Sequence, residues 1–213
     1  MADQLNYAEI QDFLAGLVPP RPAEMQEMEA YAQKIKFPII GPAAGHFCYQ
    51  IARMIGARSV FEMGSGYGYS TAWFARAVKE NGGGVVHHVV WDEKLSKMAA
   101  EHLSQLGYRD LVQYHMAEAV ATLQDEPGPF DLIFCDIDKA GYPAALPIIK
   151  DKLRAAGVLI IDNIIWHGRI FDREDTSADT NGVREFTRLI AQDPDWIVSV
   201  LPLRDGVMLA YKK

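Results

Sequence analysis

The chain has few cysteines, a deficit of basic residues and no long apolar run, and each shortage excludes a class of protein. Only Cys48 and Cys135 are present among 213 residues, and their apolar contexts without metal-type spacing predict buried free thiols in a reducing compartment. The 21 basic and 28 acidic residues give a net charge of −7, which argues against a nucleic-acid or anionic-membrane partner. No apolar run approaches the roughly 20 residues of a membrane span, and no signal-peptide pattern opens the chain. We therefore expect a cytoplasmic protein.

Short apolar segments alternate with helical patterns along most of the chain. With 49% hydrophobic residues, residues 1–213 can bury one core, so we predict a single domain. Continuous apolar strands such as Phe130–Cys135 and Gly157–Ile161 are typical of a sheet covered on both faces. The alternation predicts an α/β fold with a doubly wound, mostly parallel, seven-stranded sheet of the Rossmann-like type. We expect a C-terminal antiparallel hairpin to close it and residues 1–36 to form an N-terminal helical extension.

A glycine-rich turn between a predicted strand and a predicted helix is the most informative segment. Residues 62–70 read Glu-Met-Gly-Ser-Gly-Tyr-Gly-Tyr-Ser, and such a turn leaves backbone N–H groups free where only glycine allows close approach by a ligand. The spacing G-x-G-x-G differs from the G-x-G-x-x-G dinucleotide fingerprint. The segment resembles the first motif of the S-adenosylmethionine-dependent methyltransferases. The alternative is an ordinary strand-to-helix turn.

Polar groups follow two further strands that otherwise look buried. One strand ends in Asp136-Ile-Asp138-Lys139 and the next in Asp162-Asn163. If these strands are neighbours, Asp136, Asp162 and Asn163 converge at the carboxyl edge of the sheet, where ligands of such folds bind. Carboxylate and amide oxygens suit Mg²⁺ or Ca²⁺ rather than Zn²⁺. Each acid alone could equally be a loop cap.

Four segments in register carry a more specific resemblance. Together they are similar to the motifs of the cation-dependent O-methyltransferases, which include the catechol and caffeoyl-coenzyme A enzymes and many short bacterial members. The match covers roughly residues 40–213, through Glu62 to Ser70, Asp136 to Tyr142, Asp162 to Gly168 and Leu201 to Gly206.

The resemblance implies S-adenosylmethionine as methyl donor, Mg²⁺ or Ca²⁺ as cation and a small catechol-like aromatic acceptor. It implies that Asp136, Asp162 and Asn163 bind the metal, that Lys139 takes the acceptor's hydroxyl proton, and that Trp166 borders the acceptor pocket. A homodimer is expected, because relatives are commonly dimers. The cofactor-binding residues it implies are Glu62, Gly64, Ser65, Gly68, Ser70, Glu118, Ala119 and Asp136.

The physical argument for these roles is independent of the resemblance. A phenolate attacks a sulfonium far better than a phenol does, and a cation bound to both oxygens of a vicinal diol lowers the pKa of the attacking oxygen. Lys139 must be neutral to accept a proton. Without the acidic cluster, Lys139 would be interpreted as a surface lysine that pairs with Asp138.

Two departures from the family pattern bear on ligand binding. Val90 stands where the family carries an acid that accepts hydrogen bonds from ribose hydroxyls, and we predict that Asp92 substitutes for it, 24 residues after Gly68. Asp92 could equally be the N-cap of the next helix, and His87 and His88 are interpreted as structural. The loop at residues 39–43 is apolar, unlike the corresponding loop of many relatives, so the identity of the acceptor should not be inferred from any of them.

Two other functions compete with this prediction. A nicotinamide dehydrogenase would share the sheet type, but the G-x-G-x-x-G fingerprint is missing. A non-catalytic or cofactor-impaired binding protein on the methyltransferase fold is the second alternative, because a fold does not guarantee an activity.

Overall fold

A computed structural model of the chain describes residues 6–213 and contains one seven-stranded sheet. The strand order is β3-β2-β1-β4-β5-β7-β6, with β1 to β5 parallel and β7 antiparallel to both β5 and β6. The predicted sheet type and closing hairpin are confirmed. The strands are β1 (Ser59–Met63), β2 (Val85–Val89), β3 (Val112–His115), β4 (Phe130–Cys135), β5 (Leu153–Ile161), β6 (Trp196–Leu201) and β7 (Val207–Lys212).

Helices cover both faces of this sheet. The helices are α1 (Tyr7–Gly16), α2 (Ala23–Ile35), α3 (Gly41–Met54), α4 (Tyr69–Glu80), α5 (Glu93–Gln105), α6 (Ala119–Asp125), α7 (Tyr142–Lys152) and α8 (Ala178–Gln192). None of the helices within residues 6–213 has the length and apolarity needed to cross a bilayer.

Alternation along the strands builds two cores, one on each face. Val60 packs with α2, α3, α4 and α5 on one face, whereas the next residue, Phe61, packs with α6 and α7 on the other. Residues two apart in a strand share a face, so continuous apolar strands are what a sheet buried on both faces requires. The apolar β4 and the carboxyl half of β5 are the clearest examples, since their central residues are fully buried.

The strand order places the carboxyl ends of β1 and β4 side by side. The chain moves outward through β2 and β3 on one side of β1 and through β4 and β5 on the other. The order therefore reverses between β1 and β4, which is where open α/β sheets bind ligands. β4 and β5 pair directly, with Cys135 opposite Ile161, so the polar groups that follow them are adjacent as predicted.

Two elements begin earlier than the sequence pattern indicates. The strand β5 begins at Leu153, which pairs with Phe130 across an irregularity in register, and the Arg154 guanidinium binds Asp131 at 2.6 Å. The apolar periodicity predicts a helix over Gly182–Ala191, whereas helix α8 begins at Ala178, because the Ser177 side chain accepts a hydrogen bond from the Thr180 N–H. Both extensions depend on tertiary or capping contacts rather than on apolar periodicity.

Candidate active site

A cavity of about 670 Å³ opens at the carboxyl ends of β1, β2, β4 and β5. Most of the residues predicted for ligand binding lie in its wall, and four do not. Those in the wall are Gly64, Ser65, Ser70, Glu118, Ala119, Asp136, Lys139, Asn163 and Trp166. Glu62, Gly68, Asp92 and Asp162 lie behind the wall or outside it, and each is described below.

The glycine turn after β1 has its shape because the chain there contacts β2 and β4 closely. Gly64 has φ +88, and a Cβ on it would lie 2.3 Å from the Asp136 carbonyl oxygen, so only glycine lets the ends of β1 and β4 meet. Ser65 connects the turn to β2, since its Oγ accepts a hydrogen bond from the Val89 N–H at 2.9 Å. Gly68 faces away from the cavity, where a Cβ would press on Ala99 of α5 at 3.0 Å.

Glu62 is fully buried behind this turn. The Thr71 hydroxyl donates to Oε2 of Glu62 at 2.5 Å and lies 2.9 Å from Nδ1 of His88. A hydroxyl has one proton, so when Thr71 donates to the Glu62 carboxylate, Nδ1 of His88 is the donor to Thr71. Burial raises the pKa of Glu62 to about 7, against the lowering effect of hydrogen bonds from Ser70, Thr71 and Ser65. Burial also lowers the pKa of His88 to about 3, so its ring is neutral.

The polar groups that follow β4 and β5 gather as predicted, and we call Asp136, Asp162 and Asn163 the oxygen cluster. Asp162 is fully buried, and its Oδ1 has no hydrogen-bond partner among residues 6–213. Burial and the charge of Asp136 raise the pKa of Asp162 to about 6. An unpartnered buried carboxylate oxygen is costly unless a cation or a proton meets it.

Two positive side chains of the protein already contact the oxygen cluster. The Lys139 ammonium donates to Oδ1 of Asp136 at 2.6 Å, and the Arg204 guanidinium binds Oδ2 of Asp162. Asn163 donates through Nδ2 to Asp205 at 3.2 Å. The prediction overlooked Arg204 and Asp205 as site residues, although both lie in the segment Leu201 to Gly206 that carried part of the family resemblance.

Lys139 lies inside the protein rather than on its surface, with 6% of its area exposed. Its ammonium lies 5.1 Å from the ring centre of Tyr142 and 5.7 Å from that of Trp166, and it pairs with Asp136 rather than Asp138. Gly182 of α8 makes this position possible, because a Cβ there would lie 2.2 Å from the Lys139 carbonyl oxygen. No sequence signal pointed to Gly182.

The residue predicted to replace the missing ribose acid does not reach the cavity. Asp92 is the N-cap of α5, and its Oδ1 accepts a hydrogen bond from the Leu95 N–H at 2.9 Å. Val90 lines the cavity in its place. The capping alternative is therefore the one that the structure supports. Glu118 also caps a helix, accepting from the Val120 and Ala121 N–H groups at 2.9 and 2.7 Å, but it lines the cavity as well.

The loop that carries Arg204 also contacts the N-terminal helix. Arg204 has a left-handed backbone with φ +51, and its N–H donates to Oε1 of Gln11 on α1 at 2.9 Å. The Asp205 carboxylate accepts from the His167 N–H at 2.6 Å, next to Trp166. Helix α1, the Arg204 loop and the Trp166 segment are therefore linked on one side of the cavity.

Comparison with known proteins assigns the chain to a class and then to a family. The chain is similar to a curated catechol O-methyltransferase of Niastella koreensis, with 28% identity over 183 residues that cover 82% of each chain. The crystal structure of an O-methyltransferase from Bacillus cereus in complex with SAH matches with a TM-score of 0.86 and 27% identity, covering 96% of this chain and 97% of that one. The O-methyltransferase TomG of Streptomyces achromogenes, solved with SAM, shares the fold with a TM-score of 0.87 over the whole of both chains at 24% identity.

These similarities define an S-adenosylmethionine-dependent methyltransferase. The O-methyltransferase family model matches residues 21–213, and the chain belongs to that family. The family assignment removes the reason to consider a nicotinamide dehydrogenase.

Proposed function

We propose that this O-methyltransferase methylates one hydroxyl of a small vicinal-diol aromatic acceptor with the help of a divalent cation, Mg²⁺ or Ca²⁺. The observation that carries the proposal is the oxygen cluster, with Asp136 and Asn163 in the cavity wall and Asp162 buried. It lies beside the glycine turn and the buried Lys139. Three protein oxygens would leave a hard divalent cation with room to bind both oxygens of a diol as well. A single phenol would not use such a site fully.

The residues present fit a hard divalent cation. Asp136, Asp162 and Asn163 offer only oxygen donors of the kind that Mg²⁺ and Ca²⁺ prefer, and Oδ1 of Asp162 is buried and unpartnered. When bound, the cation would act as a Lewis acid that lowers the pKa of the acceptor hydroxyl.

The protein's own groups would accomplish the remaining chemistry. The acceptor oxygen forms a bond to the methyl carbon as the carbon–sulfur bond breaks, and the sulfur keeps the bonding pair and becomes a thioether. In its neutral form, Lys139 accepts the hydroxyl proton at Nζ, and its burial against Trp166 and Tyr142 holds it beside Asp136. The glycine turn after β1 supplies backbone N–H groups to the methyl donor.

Cation-independent O-methyl transfer is a second candidate, and Arg204 is the observation that favours it. Its guanidinium already neutralises Asp162 from within the chain. In that case the acceptor would be held without a metal, and a vicinal diol would have no advantage over a single phenolic hydroxyl.

One experiment separates the two candidates. Turnover of catechol and of phenol would be measured by mass spectrometry with Mg²⁺, with Ca²⁺ and with a chelator. The first proposal expects methylation of catechol that the chelator suppresses, and a loss of about 100-fold in the Asp162→Asn variant, the order that several kcal/mol of charge stabilisation represents.

Asp131→Asn is the matched control, because Asp131 also pairs with an arginine but lies at the opposite end of β4. It should retain the response to cation. Equal turnover with cation and chelator, and equal turnover of phenol and catechol, would contradict the first proposal and support the second.

A further inference from the structure

A second cluster of metal-ligating side chains lies outside the cavity, on the face of the sheet that α6 and α7 cover. We call His87, His115 and Glu126 the histidine cluster. His87 lies in β2 and His115 ends β3, where it pairs with Val89. Residues two apart share a face, so both rings point to the same side of the sheet. Glu126 follows the last residue of α6. None of the three lines the cavity.

The three side chains lie at distances that suit a tetrahedral metal ion. Nδ1 of His87 is 3.0 Å from Nε2 of His115 and 3.7 Å from Oε2 of Glu126, and one ligand atom from each residue lies within 4.8 Å of the others. In a tetrahedral zinc site, bonds of about 2.0–2.2 Å separate neighbouring ligand atoms by about 3.3–3.6 Å. The two separations measured from Nδ1 of His87 lie on either side of that range.

Ordinary hydrogen bonding does not account for the whole arrangement. The two rings can share one hydrogen bond at 3.0 Å. The Glu126 carboxylate, however, stands 3.7 and 3.8 Å from the nearest nitrogens of the two rings, too far to accept a hydrogen bond from either. It nevertheless lies within 4 Å of both rings. A shared ion would explain why a carboxylate lies beside two imidazoles without a hydrogen bond to either.

The surroundings favour metal binding over a charged imidazole pair. Burial lowers the pKa of His87 and of His115, which favours the neutral imidazole, the form that binds metals. The rings of Phe61 and Phe130 pack on His87 with centroids 5.5 and 5.2 Å away. Glu126 and His115 are only partly buried, which leaves a path to solvent and room for a water ligand.

We propose that His87, His115 and Glu126 bind a divalent transition-metal ion of the zinc type, with a water molecule as fourth ligand. Two imidazoles and one carboxylate are a common zinc ligand set. The ion would connect β2, β3 and the end of α6. Because His115 precedes Ala117 by two residues and α6 begins beside Glu118, the ion would stabilise a segment that forms part of the cavity wall.

Co²⁺ provides a direct test, because its visible absorption reports its coordination. Full-length protein would be freed of metal with a chelator and titrated with Co²⁺ in an Asp162→Asn background, which disables the oxygen cluster. We expect one equivalent of Co²⁺ with the intense visible bands of four-coordinate nitrogen and oxygen ligation, and displacement of those bands by Zn²⁺.

Removal of one ligand should abolish the signal. Removal of a group that only orients a metal ligand costs up to about 100-fold in metal affinity. His115→Gln and Glu126→Gln remove a ligand itself, so each should weaken Co²⁺ binding by at least about 100-fold. His102→Gln is the matched control, because His102 also contacts a glutamate, Glu24, but has no second histidine in reach among the described residues. It should retain the bands.

Thermal unfolding of the metal-free forms tests whether the variants fold. Zn²⁺ should raise the melting temperature of the Asp162→Asn parent and of its His102→Gln variant, but not of its His115→Gln variant. The proposal fails if the parent shows no intense Co²⁺ bands, or if folded His115→Gln and Glu126→Gln bind Co²⁺ as tightly as the parent.

Discussion

The oxygen cluster and the histidine cluster offer similar numbers of donor atoms but differ in how the protein balances their charge. In the oxygen cluster, Lys139 and Arg204 bind Asp136 and Asp162 directly. In the histidine cluster two imidazoles lie beside a single carboxylate, and the Lys152 ammonium reaches the Glu126 carbonyl oxygen rather than its carboxylate. A hard cation would therefore compete with internal cations at the first cluster, whereas a softer metal at the second would displace only the hydrogen bond between the two rings. Charge balance, more than the number of donors, distinguishes the two.

The largest expected effect concerns Lys139. Two substitutions test whether Lys139 moves a proton or neutralises Asp136. Lys139→Met should lower kcat by about 10²–10⁴-fold, as loss of a general base does. Lys139→Arg retains a positive charge beside Asp136 but stays protonated. Steady-state kinetics should find both variants impaired. Recovery of activity in Lys139→Arg would show that charge alone is needed.

A smaller effect concerns Glu62, which lies in β1 directly opposite His88 of β2. Its pKa is raised from 4.5 to about 7 in the folded protein, so the folded state binds more protons than the unfolded state between those values. The free energy of unfolding should therefore fall as the pH rises from 4.5 to 7, by about 3 kcal/mol in total.

Glu62→Gln should remove that part of the pH dependence, because its amide does not titrate. Urea unfolding at pH 5 and pH 8 measures how much the free energy of unfolding changes with pH. Glu93→Gln, at an exposed position, is the control and should retain the wild-type change. The same change in the free energy of unfolding in wild type and in Glu62→Gln would mean that Glu62 does not titrate between pH 5 and pH 8.

The smallest expected effect concerns Arg204, and it tests most directly the difference in charge balance between the two clusters. Arg204→Gln removes the internal cation that a metal must displace from Asp162. A hydrogen bond to a charged group contributes about 1.5–3 kcal/mol, so Mg²⁺ should bind at least about tenfold more tightly. Isothermal titration measures the Kd. Arg169→Gln, which breaks a similar pair with Asp175, should leave the Kd unchanged, and weaker Mg²⁺ binding by Arg204→Gln would contradict competition.

The sequence allowed most of the fold to be predicted because the strands are continuous apolar runs between clear turns. The bounds of β4 were predicted to the residue, and β4 and β5 are neighbours as expected, so the members of the oxygen cluster follow adjacent strand ends. The amino half of β5 was not predicted, because residues 153–156 have no apolar run and are fixed by Arg154 and Asp131.

The site was less predictable wherever a side chain had two plausible roles. Asp92 had the right spacing for a ribose contact, but the free N–H groups at the start of α5 bind it instead. The histidine cluster could not be foreseen, because it depends on the register of β2 against β3 and on the place where α6 ends. His87 by itself carries no such signal.

Helix α1 lies before residue 21, where the family match begins, and yet Gln11 contacts the backbone of Arg204. Arg204 holds a left-handed conformation that a non-glycine residue adopts only when its surroundings enforce it. If the proposed cation binds, exchange of helix α1 between related enzymes should therefore change how tightly Arg204 holds Asp162, and with it the affinity for the cation, without altering any of its ligands.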